Sequence, residues 1–402
     1  MLNLWWMVLC LTEGSYIMFD NLKTLSYDID SNDILLMCRD VPVMAINFDL
    51  GKFLVLNETL LPFGLKGKLR KVLSFEEVKS RYDDTQRQIA LGNNKDAIIS
   101  WLANRVLSLS RANAKWIYNA LKFEQLSSEY EKAKVALFCK AVSVLDNYWV
   151  KSASSNLCWD EVNIRRVSLN EVIAQIALHG KSLSLQGSMN TPELTTHGAY
   201  AKAWRRHEDG LWLYKKGWNG NTESKIEVMV SNLLDKTNIK HCHYEAGEDD
   251  GHYVCMCPCM SNDNLSIVSG SDFVSYCNRN NLDFIKEVEK IDSNGFYTMW
   301  VVDYLTANRD RHGGNWGLYY KPDTMELVST HPLYDHNNAF DIEWINNPDA
   351  DYQFNDMTIR QAANYAIKRC DIKITSEITR EDFLTDRQYK CFMERAKELH
   401  II

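Results

Sequence analysis

Two short runs carry groups with chemistry to do. Residues 308–318 read N-R-D-R-H-G-G-N-W-G-L, and residues 332–340 read P-L-Y-D-H-N-N-A-F. In the first, Asp310 and Asn315 stand five residues apart with two glycines between them. A loop of that length can turn the amide back beside the carboxylate. The carboxylate can accept a proton from a hydroxyl, and the amide oxygen suits a hard cation such as Mg²⁺. In the second, Asp335 follows an apolar Pro-Leu-Tyr step and precedes small polar residues, a natural place for a second metal ligand at the end of a short strand. The segment Y-Y-K-P-D-T-M-E-L-V between the two runs reads as a hairpin that would bring Asn315 and Asp335 near each other. An acid, an amide, a hairpin and a second acid is the order of kinase-type phosphotransfer sites. Plainer readings compete. Gly313 and Gly314 could cap a helix end with Asp310 merely solvated, and Asp335 could be a turn aspartate.

Phosphotransfer also needs a cation for the nucleotide phosphates, held by an acid on a helix. L-W-L-Y-K-K reads as a strand ending in lysine, and Glu227 follows Lys215 by twelve residues on a helical segment. Lys215 is preferred to Lys216 because it shares a strand face with Leu211 and Leu213. Glu227 shares a helix face with Val230 and Leu234 and could point inward with them. Against this, S-K-I-E fits a capping box with Ser224 as N-cap and Glu227 at N3. Upstream, T-P-E-L-T-T-H-G-A-Y-A-K-A-W offers hydroxyls, one glycine and a lysine before a strand, which can make a phosphate-facing loop or an ordinary one. The cysteine- and histidine-rich runs, H-C-H at 241–243 and C-M-C-P-C at 255–259, raise structural zinc. They lack a paired C-x-x-C knuckle, so buried strand cysteines are the preferred reading. Trp300, Tyr304, Trp316 and Tyr319 read as core packing.

The elements that must position these groups can be read coarsely. I-L-L-M-C, P-V-M-A-I-N-F and K-F-L-V-L between 33 and 57 read as strands. From 74 to 149 the period is helical, with 98, 99, 102, 103, 106 and 107 on one face, and further helices over 112–123 and 130–145. Residues 151–160 read as a polar linker or loop. Beyond it come a strand at 210–216, a helix at 224–236, a strand at 252–259 and a helix at 295–307. The expected fold is α+β, with three regions: an accessory strand-plus-helix region over 1–150, a sheet-bearing lobe over 151–260, and a helical lobe over 261–402.

The 402-residue chain is 46% hydrophobic and 24% charged, ordinary globular values, with a net charge of −8 that argues against a dedicated nucleic-acid binder. Eleven irregularly spaced cysteines fit reduced thiols and a cytoplasmic setting. No apolar run reaches the roughly 18–20 residues that span a bilayer. The apolar N-terminus lacks the features of a signal peptide, and translation starting at Met18 is an open expectation.

Taken in order, T-P-E-L-T-T-H-G-A-Y-A-K-A-W, L-Y-K-K-G, I-E-V-M-V-S, D-Y-L-T-A-N-R-D-R-H-G-G-N-W-G and P-L-Y-D-H-N-N-A-F resemble the HipA-like serine/threonine kinases, in a bacterial HipA-related branch with an extra N-terminal region. L-L-P-F-G-L and L-D-N-Y-W-V-K extend the likeness weakly upstream. The resemblance implies a bilobal protein-kinase-like fold and an ATP- and Mg²⁺-dependent transfer to a protein serine or threonine. By it, Asp310 is the catalytic aspartate, and Asn315 and Asp335 hold Mg²⁺. Lys215 grips the nucleotide and pairs with Glu227. Thr195, Thr196, Gly198 and Lys202 belong to a phosphate loop whose threonines can be autophosphorylated, and Cys257 to Met260, with Cys259, form the hinge strand for adenine. A small DNA-binding antitoxin-like partner and a toxin role are implied by family association alone. The D-H-N-N run departs from the family, where a glycine more often follows the metal-binding aspartate. A nucleotide-binding pseudokinase and a small-molecule or lipid kinase are the alternatives.

Overall fold

The computed structural model describes residues 29–69, 84–123, 126–181, 183, 191–196, 198–354 and 356–402, without the side chains of 84–91 and Asn219. The N-terminal run with Met18, and His197 of the expected phosphate loop, lie outside the described residues. The chain divides into two compact units, one reaching Ala199 and including Pro322–Met325, the other comprising Tyr200–Lys321 and Glu326–Ile402.

In the first unit, β1 (Ile34–Cys38), β2 (Val41–Asn47) and β3 (Lys52–Val55) form where alternation predicts them. Helices α1 (Asp84–Ala103), α2 (Ala114–Ala120) and α3 (Glu129–Phe138) follow. The expected helical run to 149 stops early. The backbone turns through positive φ at Lys140 and Ala141, and β4 (Tyr148–Ser152) pairs antiparallel with β1. The sheet order is therefore β3-β2-β1-β4. The expected linker begins inside β4, and the boundary expected at 150 cuts that strand. Its partner lies far back in the sequence, so no local periodicity could reveal the pairing. Two short helices, α4 (Trp159–Val162) and α5 (Glu171–His179), complete the regular elements before residue 183.

The second unit is α+β and two-lobed by itself. Its sheet has the order β5-β6-β8-β7, from β5 (Ala201–His207), β6 (Gly210–Lys216), β7 (Glu245–Asp249) and β8 (His252–Pro258). Helix α6 (Thr222–Leu234) connects β6 to this sheet's second hairpin. A three-stranded sheet, β11-β10-β9, follows, built from β9 (Ser266–Ser269), β10 (Gly317–Tyr320) and β11 (Leu327–Thr330). The predicted hairpin between the two chemical runs is thus β10–β11. Around it lie α7 (Gly270–Arg279), α8 (Phe284–Leu305), α9 (Ile342–Asn346), α10 (Ile359–Ala366) and α11 (Asp386–Glu398). Helix α8 breaks at Asp292, whose carboxylate accepts from the Gly295 N–H and from the Thr330 N–H and hydroxyl. That local cap restarts the helix near where the sequence alone places its beginning. The restarted half buries Phe296 and Trp300 against Phe354, and Phe296 also meets Trp316. Trp300, Tyr304 and Trp316 are buried as expected, and this aromatic core underlies the 308–316 loop. No helix among the described residues is long and apolar enough to cross a membrane.

Candidate active site

The site is assembled on three elements of the second unit. The end of β6 carries Lys215, the middle of α6 carries Glu227, and the loops around β10–β11 carry Asp310, Asn315 and Asp335. Lys215 is 3% exposed and Glu227 1%, a depth at which neither could stay charged alone. The Lys215 ammonium donates to Glu227 Oε2 at 2.6 Å and to Asp335 Oδ1 at 2.7 Å. It also lies 5.1 Å from the Tyr244 ring centre. Burial would pull the lysine down, yet Asp335 and Glu227 outweigh it and hold the ammonium well above its ordinary range. Burial would push Asp335 up, but Lys215 and Lys202, then Arg311, hold its carboxyl well below the usual carboxylate range. Glu227 goes the other way: burial raises it, against the pull of Lys215.

The capping-box reading of Ser224 is overturned. Helix α6 starts two residues earlier, after Asn221 in the left-handed region. Ser224 is buried inside the first turn and donates its hydroxyl to the Lys215 carbonyl. Glu227 is therefore free of a capping duty and spends its second oxygen on the His336 N–H at 2.9 Å. The acid that pairs with the lysine thus also holds the backbone just past Asp335. Asp335 itself sits at φ 60°, a left-handed conformation that aspartate tolerates better than most residues.

Asp310 has one carboxylate oxygen, Oδ2, fixed by the Asn338 amide at 2.7 Å. The Asn315 amide nitrogen donates to the Asp310 carbonyl at 2.8 Å, so the amide does turn back as the spacing predicts. With its nitrogen so used, Asn315 presents its oxygen as the remaining ligand atom. Arg311 joins the two runs: one guanidinium nitrogen donates to the carbonyls of both Asn315 and Tyr334. His312 accepts from the Gly314 N–H at 3.0 Å and so braces the loop.

Mg²⁺ takes oxygen ligands, and the oxygens here fit it. Asp335 Oδ2 accepts no hydrogen bond from the described residues, and Arg311 ties the Asn315 carbonyl to the Tyr334 carbonyl one residue before Asp335. Beside them Asn337 donates to Asp335 Oδ1, while its own Oδ1 is buried and without a partner among the described residues. An orphaned amide oxygen next to an ionised carboxylate is a natural place for a bound cation or its water.

No family model matches the chain, and no curated protein matches it. Solved structures similar to it include the following two. The Helicobacter pylori proinflammatory kinase CtkA gives a TM-score of 0.41 at 14% identity, over 51% of this chain and 91% of that one. A chain of the Shewanella oneidensis MR-1 toxin–antitoxin complex of HipA, HipB and operator DNA gives 0.46 at 10% identity, over 90% of this chain and 97% of that one. The chain is similar to a HipA-type protein and to a kinase.

The remaining expected site residues are placed as follows. Lys202 is buried on β5, in register with Lys215 on β6, and belongs to the strand and not to the loop before it. Thr195 and Thr196 are buried in the first unit, Thr195 ending a 3₁₀ turn (Pro192–Thr195) and Thr196 capping it, and both hydroxyls donate to the Pro192 carbonyl. Arg111 secures that turn through the carbonyls of Glu193 and Thr196. Gly198 is exposed at φ 104°, where glycine is favoured. Cys257 is buried with Cys242, Tyr244 and Cys255. Cys259 donates its N–H to the Leu211 carbonyl, and the Met260 carbonyl accepts from the Tyr319 hydroxyl, so part of the expected hinge backbone is already bonded. Every cysteine among the described residues is a free thiol.

Sequence reasoning left out Asn338, Asn337, Arg311 and Tyr200. The two asparagines were visible as the departure D-H-N-N, and their amides are the signal. Tyr200 donates to Asn338 at 3.4 Å. Its hydroxyl is pushed up to about 12 by burial and by the nearby carboxylates, and stays a donor.

Proposed function

We propose that this protein is an ATP- and Mg²⁺-dependent kinase that phosphorylates a serine or threonine hydroxyl of a protein. The observation that carries this is Lys215 bonded at once to Glu227 and Asp335, in the unit that also sets Asp310 beside Asn315 and Asn338. A buried ammonium tied to two carboxylates is poised to offset phosphate charge. Asn338 fixes one oxygen of Asp310, which leaves the other to orient the substrate hydroxyl and take its proton as the phosphorus–oxygen bond forms. Asp335 and Asn315, with Asn337 beside them, would hold Mg²⁺, which supplies charge neutralisation to the transferring phosphate when bound.

A nucleotide-binding module without turnover is the second reading. It is favoured by one observation: Asp335 Oδ1 is engaged by both Lys215 and Asn337. Transfer from labelled ATP to a generic protein acceptor or to the chain itself separates the two. The kinase reading expects transfer that Asp310→Ala and Asp335→Ala abolish; wild-type transfer in either variant rejects it. Label on a metabolite fraction and none on protein would turn the proposal towards a small-molecule kinase. Intact mass after incubation with ATP and Mg²⁺ tests autophosphorylation of Thr195 or Thr196, which must first release the Pro192 carbonyl. A small DNA-binding partner is proposed on the sequence resemblance, and co-purification with the product of a neighbouring gene tests it.

A further inference from the structure

The run H-C-H at 241–243 is not used by the phosphotransfer proposed above. The chain turns Cys242 into the core beside Tyr244, Cys255 and Cys257. Its two neighbours instead converge on Asp235, the C-cap residue of α6. His241 Nε2 lies 3.2 Å from Asp235 Oδ1, and His243 Nδ1 lies 3.0 Å from Oδ2. One ligand atom from each residue falls within 4.8 Å of the others.

Proton positions decide what this cluster can hold. His241 Nδ1 is 3.0 Å from the Ile239 carbonyl oxygen. A carbonyl only accepts, so Nδ1 carries the hydrogen and Nε2 of the neutral ring offers a lone pair. That lone pair faces a carboxylate, which also only accepts. Nε2 has no hydrogen-bond partner among the described residues, and the His241 side chain is only 8% exposed. Two acceptors set face to face call for a cation between them. A proton could serve one such pair. A second imidazole converging on the other oxygen of the same carboxylate gives the donor set of a metal ion.

We propose that Asp235, His241 and His243 form a binding site for a divalent first-row transition metal of the zinc class, with water completing the coordination. Two imidazoles and a carboxylate suit Zn²⁺ and its neighbours and not Mg²⁺, which takes oxygens. The Ile239 carbonyl is the outer partner that metal-bound histidines use to fix their tautomer. The carbonyl end of the thirteen-residue α6 adds a field that favours positive charge. Such an ion would fasten the end of the helix that carries Glu227 to the 240–242 run. That run is itself bonded to Leu333, through the Cys242 N–H at 2.7 Å and the Lys240 carbonyl at 3.1 Å. The site is a structural clamp, separate from the oxygens proposed for Mg²⁺.

Co²⁺ titrated into the full chain without added Mg²⁺, followed by visible absorption and native mass spectrometry, tests this. The expected result is one tightly bound Co²⁺ per chain, with d–d bands, no thiolate charge-transfer band, and displacement by Zn²⁺. His243→Ala removes a half-exposed ring and Asp235→Asn keeps its shape, so both should fold. Each should weaken binding at least about tenfold and abolish the rise in melting temperature that Zn²⁺ gives the wild type. Absence of stoichiometric Co²⁺ uptake by the wild type, unchanged affinity in both variants, or a thiolate band on the tight site would overturn the proposal.

Discussion

Arg311 and Lys215 are both buried cations of the second unit, and they are bonded in opposite ways. Arg311 and Asp303 are each 0% exposed. The guanidinium donates to both Asp303 oxygens, to two backbone carbonyls and to His336 Nδ1. Asp303 also accepts from Asn308 and from the Tyr352 hydroxyl. Around the guanidinium that network is closed, and its loose end is His336 Nε2, buried without a partner among the described residues. Lys215 stands between two carboxylates, and next to it Asp335 Oδ2 and Asn337 Oδ1 lack partners among the described residues. A closed network fixes backbone, here the 308–316 loop against Tyr334. An open one keeps acceptors in reserve for something that binds.

The largest effect expected from breaking this contrast is on chemistry. Asp310→Ala should lower transfer by on the order of 10²–10⁴-fold, with thermal unfolding close to wild type; a large drop in melting temperature would mean that Asp310 belongs with the closed network. Next comes Asp303→Ala. It strands a buried guanidinium and should cost about 3–5 kcal/mol of stability in urea titrations. A loss under about 1 kcal/mol would remove the distinction.

A smaller effect should appear in acid. The Asp335 carboxyl is held below its ordinary range by Lys215, Lys202 and Arg311 against the cost of burial. Its contribution is therefore complete above the unfolded value, about 3.9, and is lost as pH falls through the lower folded value. Asp335→Asn should lose less stability than wild type as pH falls from about 5 to about 2, in parallel urea titrations. Equal losses would count against the ion pair. The smallest effect is expected at exposed His312, which bonds only within its own loop. His312→Ala should cost at most about 1 kcal/mol and keep most of the transfer rate; trace activity in a folded variant would give the ring a catalytic part.

Much of the site was legible because it is local. The five-residue step from Asp310 to Asn315 closes as its glycines allow, and the hairpin between the two runs forms from ordinary strand alternation. Lys215 over Lys216 followed from the inward face of β6. What stayed hidden depended on distant chain. S-K-I-E reads equally well as a helix start, and only the observed start of α6 after Asn221 frees Glu227 to meet Lys215. Arg311 looks like any loop arginine until Asp303, Tyr334 and His336 surround it.

By itself the sequence determined which groups exist and in what order: the lysine, the paired acids, the amides and the period of the elements that carry them. These follow from residue chemistry and short-range backbone geometry. Tertiary structure decided which of them face one another. It paired β4 with β1, moved Lys202 onto a strand beside Lys215, buried the threonines of the 191–196 turn, and set two histidines against one carboxylate. The reason is physical. Burial and pairing across long stretches of chain set the charge state and partners of each group, and neither is written in its neighbours.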